Sequence, residues 1–201
     1  MPVIDIPPPA FMEDEEISIF ADAVGKFYEK HAPEKRVAKW REDGQVEREF
    51  WNEAGEAGLL GVSVPEEYGG HGGDFRHDMV VIEQQGRHNV DGFAASLHNT
   101  VILPYLVRHG TEEQKKRYLP KLVSGELVSA IAMTEPGVGS DLQSITTTAL
   151  AEGESDLVSG GLGFNLLSAF FFGGNDAAAL IDLTTPARLE GGGPNPNPNP
   201  N

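Results

Sequence analysis

Between residues 12 and 31 the apolar side chains Ile17, Phe20, Ala21, Val24, Phe27 and Tyr28 recur at the three- and four-residue spacing of a single helix face. A chain that begins this way has to bury one stripe of a helix, so other helices or a sheet must be found to cover it. A second helical pattern begins near Val46. It carries Phe50, Trp51, Ala54 and Ala57 on one side and stops at Gly58 or Gly61. Residues 62–73 hold Pro65, Gly69, Gly70, Gly72 and Gly73, and they read as an extended connection. Asp74 is placed to cap a third helix through Met79, Ile82 and Gly86. Asp91 is placed to cap a fourth, which runs through Leu97 and Val101 toward Val107 with a kink expected at Pro104. Gly110 ends that helix. Thr111 followed by Gln114 forms the capping box of a fifth over 112–122, with Pro120 a candidate point of division.

After Gly125 the texture changes. Val128, Ala130, Ala132 and the run 145–150 are short β-prone stretches separated by turn residues. Residues 142–201 contain one basic residue, Arg188, and the chain closes on three glycines and alternating Pro and Asn, which cannot build a core. The expected fold class is therefore α+β. A flexible start (1–10) leads into an all-α amino-terminal helical domain (11–125), a partial, degenerate small β domain (126–187), and a disordered low-complexity tail (188–201).

Charge narrows the functional classes. Lys and Arg number 15 against 31 for Asp and Glu, a net charge of −16, which repels nucleic-acid backbones and anionic membrane surfaces. No apolar run reaches the roughly 18 residues of a membrane span. There is no cysteine, hence no disulfide, thiolate metal site or thiol nucleophile. The first ten residues do not read as a leader, and the expected location is cytoplasmic. His71, His77, His88, His98 and His109 show no paired ligand spacing, so hydrogen-bonded or solvated histidines are expected rather than a metal site. The glycines at 69–73 lack the Lys-Ser/Thr of a phosphate loop and read as a turn. The cluster Lys115, Lys116, Arg117 and Lys121 reads as a solvated helix face, with docking of an acidic partner the alternative.

The sharpest local feature is 130–141, where a β-prone run breaks into a turn. Thr134 and Ser140 supply hydroxyls, and Gly137 and Gly139 allow backbone N–H groups to approach a ligand closely. By composition alone an ordinary surface turn is equally open. The string Met133-Thr134-Glu135-Pro136-Gly137-Val138-Gly139-Ser140-Asp141, however, resembles the flavin-contacting signature M-T-E-P-x-x-G-S-D of the acyl-CoA dehydrogenase family. Residues 58–70 (GLLGVSVPEEYGG) and 109–120 (HGTEEQKKRYLP) resemble the same family in the same order. With Leu97-His98-Asn99-Thr100 and Asp141-Leu142-Gln143 beside them, the likeness is nearest to the long-chain members and extends over 11–149.

The resemblance implies an FAD cofactor and α,β-dehydrogenation of a fatty acyl-CoA to a trans-2-enoyl-CoA. It further implies an electron-transferring flavoprotein as acceptor and homo-oligomers in the full-length family. It carries Ile131, Met133 and Thr134 to the flavin ring, and Gly139 and Ser140 to the cofactor pyrophosphate. Ser140 also falls at the CoA part of the substrate. Phe93 and Ser96 are carried to the helix lining the acyl pocket, where Ala94 and Ala95 leave room or, on the plainer reading, simply pack. Past Ala149 the likeness fades: 156–168 (DLVSGGLGFNLLS) lacks the Lys and Thr of the family's next flavin-binding strand. In relatives a carboxyl-terminal helical domain bears the glutamate base, and this sequence is expected to lack it. No catalytic residue is assigned, since Glu135 lies in the flavin signature and Glu112, Glu113 and Glu126 read as cap or surface. The alternative expectation is an inactive truncated helical module with at most weak acyl-CoA or protein binding.

Overall fold

The computed structural model describes Pro7, residues 9–132, Ser140, Asp141 and the strand residues 148–152, 155–159 and 169–170. After a 3₁₀ turn at Ala10–Glu13 come the helices α1 (Glu15–His31), α2 (Glu34–Asp43), α3 (Arg48–Glu56) and α4 (Phe75–Arg87). A fifth helical rod follows in three parts: α5 (Ala95–Leu97), a π turn (His98–Ile102) and α6 (Leu103–His109). The last helix is α7 (Glu112–Val123). Beyond it, β1 (Ile131–Ala132) pairs antiparallel with β4 (Ala169–Phe170), and β2 (Thr148–Glu152) with β3 (Ser155–Ser159). The described chain is thus mostly helical through Val123, as the periodicity requires. The expected tail lies outside the described residues.

The stripe on α1 is covered mainly by α4. Ile17, Val24 and Tyr28 are almost wholly buried, and Phe20 and Ala21 pack at the margin of the same core. From there an aromatic chain crosses the molecule. Phe50 lies 5.7 Å from Phe27, 4.7 Å from Trp40 and 4.9 Å from Phe93, and Phe93 lies 4.6 Å from Trp51. Such tilted and edge-to-face contacts add to the burial of large apolar surfaces. A second cluster, containing Val64, Ile102, Leu103, Leu119 and Leu122, joins the π turn and α6 to α7.

Helix α2 is absent from the periodicity reading because its sequence, EKRVAKWRED, offers only Val37 and Trp40 to the core. It is held from outside. The Arg36 guanidinium donates to Glu53 at 2.8 Å, to Glu47 and to the His31 carbonyl at 2.6 Å, and it covers the rings of Trp40 and Phe50. On α4, Asp74 caps through the Arg76 N–H while its own N–H donates to His77, as expected of a capping box. The buried positions there are Asp78, Val80 and Val81, with Met79 and Ile82 half-buried. The Thr111–Gln114 box starts α7, which passes through Pro120 undivided.

Three expectations need correction. Asp91 caps no helix: the fourth rod begins at Ala95, and the Asp91 carboxylate is taken up by a bidentate contact with Arg41. Pro104 does not produce a simple kink. It has no N–H to return to the carbonyl four residues back, and the turn before it widens, so that the Leu103 N–H reaches the His98 carbonyl five residues away. Ala57, placed on the core face by spacing, is exposed because α3 has already ended at Glu56.

The end of α7 is fixed against α3 by close backbone approach. Gly125 has φ +76°, and a Cβ there would stand 2.2 Å from the Trp51 carbonyl oxygen. A Cβ on Gly55 would stand 2.3 Å from the Ser124 carbonyl oxygen. Arg48 closes the junction by donating to the carbonyls of Gly125, at 3.0 Å, and Glu126. Gly125→Ala is expected to lower unfolding stability by about 2 kcal/mol or more, combining left-handed strain with a backbone clash. Gly86→Ala, in α4 with nothing within 4 Å of the added Cβ, is expected to raise it by about 0.5–1 kcal/mol. Urea denaturation of both variants checks the pair.

Candidate functional site

The candidate site begins where the rod α5–π–α6, the end of α7 and the segment leading to β1 meet. In an α-helix successive side chains diverge by about 100°, so neighbours seldom both face inward. The wider π turn brings His98 and Asn99 inside together, at 0% and 1% exposure. Asn99 fastens the loop after α3: its amide nitrogen donates to the Leu59 carbonyl at 2.8 Å, and its oxygen accepts from the Gly61 N–H at 3.1 Å. His98 fastens the other side. Its Nε2 lies 3.1 Å from the Leu122 carbonyl on α7, and its Nδ1 lies 2.8 Å from the Ser129 hydroxyl and 3.5 Å from the Ser129 N–H.

These partners determine the proton positions. A carbonyl only accepts, so Nε2 carries the hydrogen, and in the neutral ring Nδ1 accepts from Ser129. Burial pushes the imidazolium form down to about pKa 4, only partly offset by the Leu122 carbonyl. Trp51, 5.5 Å away, covers the ring. Beside this pair lies a buried carboxyl, Asp78, whose pKa is raised by burial against the opposing hydrogen bonds of Ser63 and Asn99. One of its oxygens has no hydrogen-bond partner.

Two residues beyond Ser129 stands Ile131, half-buried on β1 and packed against the cluster of α6 and α7. Met133, Thr134 and Gly139 lie outside the described residues. Ser140 is described and exposed. Phe93 is 2% exposed, its ring engaged with Phe50 and Trp51 in the aromatic chain. Ser96 is exposed at the start of the same rod, and its carbonyl accepts from the Thr100 hydroxyl at 2.6 Å. Ala95 is fully buried, which bears out the packing reading for that position, whereas Ala94 is exposed. The structure thus brings Phe93, Ser96 and Ile131 onto elements tied together by His98.

The remaining candidates resolve without chemistry. The amides of the 69–73 turn are directed inward: Gly72 and Gly73 donate to the carbonyls of Val64 and Val62 at 3.0 and 2.8 Å. In the basic cluster, Lys115 pairs with Glu112 and Lys121 with Glu126, and Arg117 lies over Tyr118. An open cleft of about 610 Å³ borders Glu16, Phe20, His71, Asp74, Arg76 and His77, and none of the predicted site residues lines it. The inward roles of His98 and Asn99 are missing from the sequence reading. The available signal was Pro104 inside a helical pattern, since a proline there frees a carbonyl one turn back and invites a widened turn.

Comparison with known proteins gives one consistent result. The family described as "Acyl-CoA dehydrogenase, N-terminal domain" matches residues 14–126. The mitochondrial long-chain specific acyl-CoA dehydrogenase of Sus scrofa is 41% identical over 145 residues, covering 72% of this chain and 34% of that protein. The crystal structure of an acyl-CoA dehydrogenase from Geobacillus kaustophilus superposes with a TM-score of 0.68 at 41% identity, over 79% of this chain and 40% of that one. An acyl-CoA dehydrogenase from Bacillus anthracis, complexed with FAD, gives 0.56 at 36% identity, over 67% and 23%. The chain spans about a third of the length of the curated relatives it matches.

Because His98 titrates near 4 in the fold and near 6.5 when unfolded, the unfolded chain takes up the proton first as pH falls. The stability linked to His98 is complete above about pH 6.5 and is lost as pH falls toward 4, by roughly 3 kcal/mol in total. Urea titrations between pH 7 and 4 are expected to show this loss in the wild type. They are expected to show a shallower pH dependence in His98→Gln, which cannot take up that proton.

Proposed function

This chain belongs to the acyl-CoA dehydrogenase family, and from that premise we propose that it forms the amino-terminal, cofactor-facing part of an FAD-dependent enzyme acting on fatty acyl-CoA. The reaction removes the α-proton and the β-hydride to give a trans-2-enoyl-CoA, and an electron-transferring flavoprotein takes the electrons onward. The observation that carries the reading is positional. The string 133–141 follows directly from β1, and β1 leaves a helical scaffold matched to the family over 14–126.

The residues fit the cofactor in kind. Ile131 offers a half-buried apolar edge and Ser140 an exposed hydroxyl, while Thr134 adds a hydroxyl and Gly137 and Gly139 an unobstructed backbone. When bound, FAD supplies the hydride acceptor, chemistry that no side chain provides. On this reading Ile131, Met133 and Thr134 hold and orient the flavin ring, Gly139 and Ser140 meet the pyrophosphate, and Ser140 also meets the CoA portion. Ser96 lines the acyl end, and Phe93 keeps that rod in place from the core side. A net charge of −16 opposes an anionic ligand at long range, so binding rests on these local donors rather than on electrostatic steering.

Among the described glutamates, Glu112 is engaged by Lys115 and Tyr68, and Glu126 by Lys121. Neither is placed as the base. The long-chain preference of the matched Sus scrofa protein supports a fatty acyl substrate.

The test is the flavin content of the purified chain, taken from its visible spectrum and from cofactor released on denaturation. Near-stoichiometric FAD is expected, and a colourless protein that also fails to take up added FAD would sink the reading for this chain. Anaerobic addition of a long-chain acyl-CoA then separates two cases: bleaching of the flavin marks a dehydrogenase, and bound but unbleached flavin marks a cofactor-holding module without turnover.

A further inference from the structure

His98 is a buried titratable side chain to which the proposed reaction gives no role, yet it alone bonds both the last turn of α7 and the segment entering β1. We propose that His98 is a positioning residue that sets the flavin edge, its Nε2–H fixed on the Leu122 carbonyl and its Nδ1 holding Ser129 at the entrance to β1. The inference deepens the flavin reading and rests on it for the ligand, while the clamp itself stands on the geometry.

Ser129 is 5% exposed and has both its hydroxyl and its N–H directed at the single Nδ1 lone pair. Ile131 lies two residues on, roughly 7 Å along an extended backbone and on the same face. A shift of Ser129 is therefore carried to Ile131, the first residue of the cofactor edge. The ring cannot rotate to spare the contact, because the Leu122 carbonyl fixes one nitrogen and Trp51 covers the face. Nor can the other tautomer substitute, since it would set an N–H against the Ser129 N–H and a lone pair against the Leu122 oxygen.

Two variants cut the same link from opposite ends. Ser129→Ala removes the hydroxyl. His98→Gln keeps an amide donor able to reach Leu122 and loses the acceptor aimed at Ser129. His98→Asn is the converse, retaining an acceptor near Ser129 and losing the Leu122 donor. Hydrogen exchange of the full chain is expected to show protection over 128–132 falling roughly tenfold in Ser129→Ala and His98→Gln, with no further fall in the double variant and little in His98→Asn. The α1 and α4 amides should not change. FAD dissociation constants are expected to rise about tenfold in the same two variants.

If the wild type binds FAD and Ser129→Ala binds it equally well with unchanged protection, the proposal is overturned. If the wild type binds no FAD, the flavin reading fails and exchange over 128–132 alone decides: lost protection supports the clamp, and unchanged protection overturns it. Global loss of protection in His98→Gln would reflect unfolding, and Ser129→Ala, which removes a single oxygen, then becomes the deciding variant.

Discussion

The widened turn at His98–Ile102 is the constraint on which the arrangement around the site depends. A regular helix would direct His98 and Asn99 about 100° apart and leave one of them in solvent. With the turn expanded, both polar side chains enter the core and each finds partners there. The cost of burying them is offset because their donors and acceptors are matched by backbone groups that would otherwise lack partners. Asn99 binds the loop after α3, His98 binds α7 and the approach to β1, and the two helical clusters are joined through one turn of one rod.

Close backbone contact completes what the side chains begin. Gly55 and Gly125 let α3 meet the turn after α7 at distances that any Cβ would forbid, and Arg48 covers the exposed carbonyls of that turn. The segment 125–131 therefore leaves the helical scaffold held by Arg48 at its start, by His98 at Ser129 and by apolar packing at Ile131. A binding edge gains precision from such support, since the entropy of ordering it is met by the scaffold before any ligand arrives.

The family assignment and this geometry address different questions. Membership rests on the match over 14–126, almost entirely within the helices. The cofactor reading rests on the short string after β1, of which Ser140 and Asp141 alone among 133–141 are described. The chain corresponds to about a third of its curated relatives, so turnover, substrate range and partners belong to the proposed whole. What the described helices contribute is a rigid frame that aims the start of the flavin edge.

Much of this was legible in the sequence. The stripes on α1 and α3, the capping boxes at Asp74 and Thr111, the stop at Gly110 and the turn at 69–73 all follow from local spacing and local hydrogen bonding. The ordered strings at 58–70, 109–120 and 133–141 pointed to the family. Helix α2 was not legible, because its stability comes from Arg36 bridging to Glu47 and Glu53 rather than from an apolar face of its own. Asp91 looked like a cap until Arg41, fifty residues away in sequence, took its carboxylate. The inward turn of His98 and Asn99 likewise required the carbonyls of Leu59 and Leu122 to be in place. Local sequence determined which segments are helical and where they stop, since periodicity and capping act within a few residues. Which polar side chains are buried, and what they hold, was decided by tertiary structure, because their partners come from segments 24 to 40 residues distant.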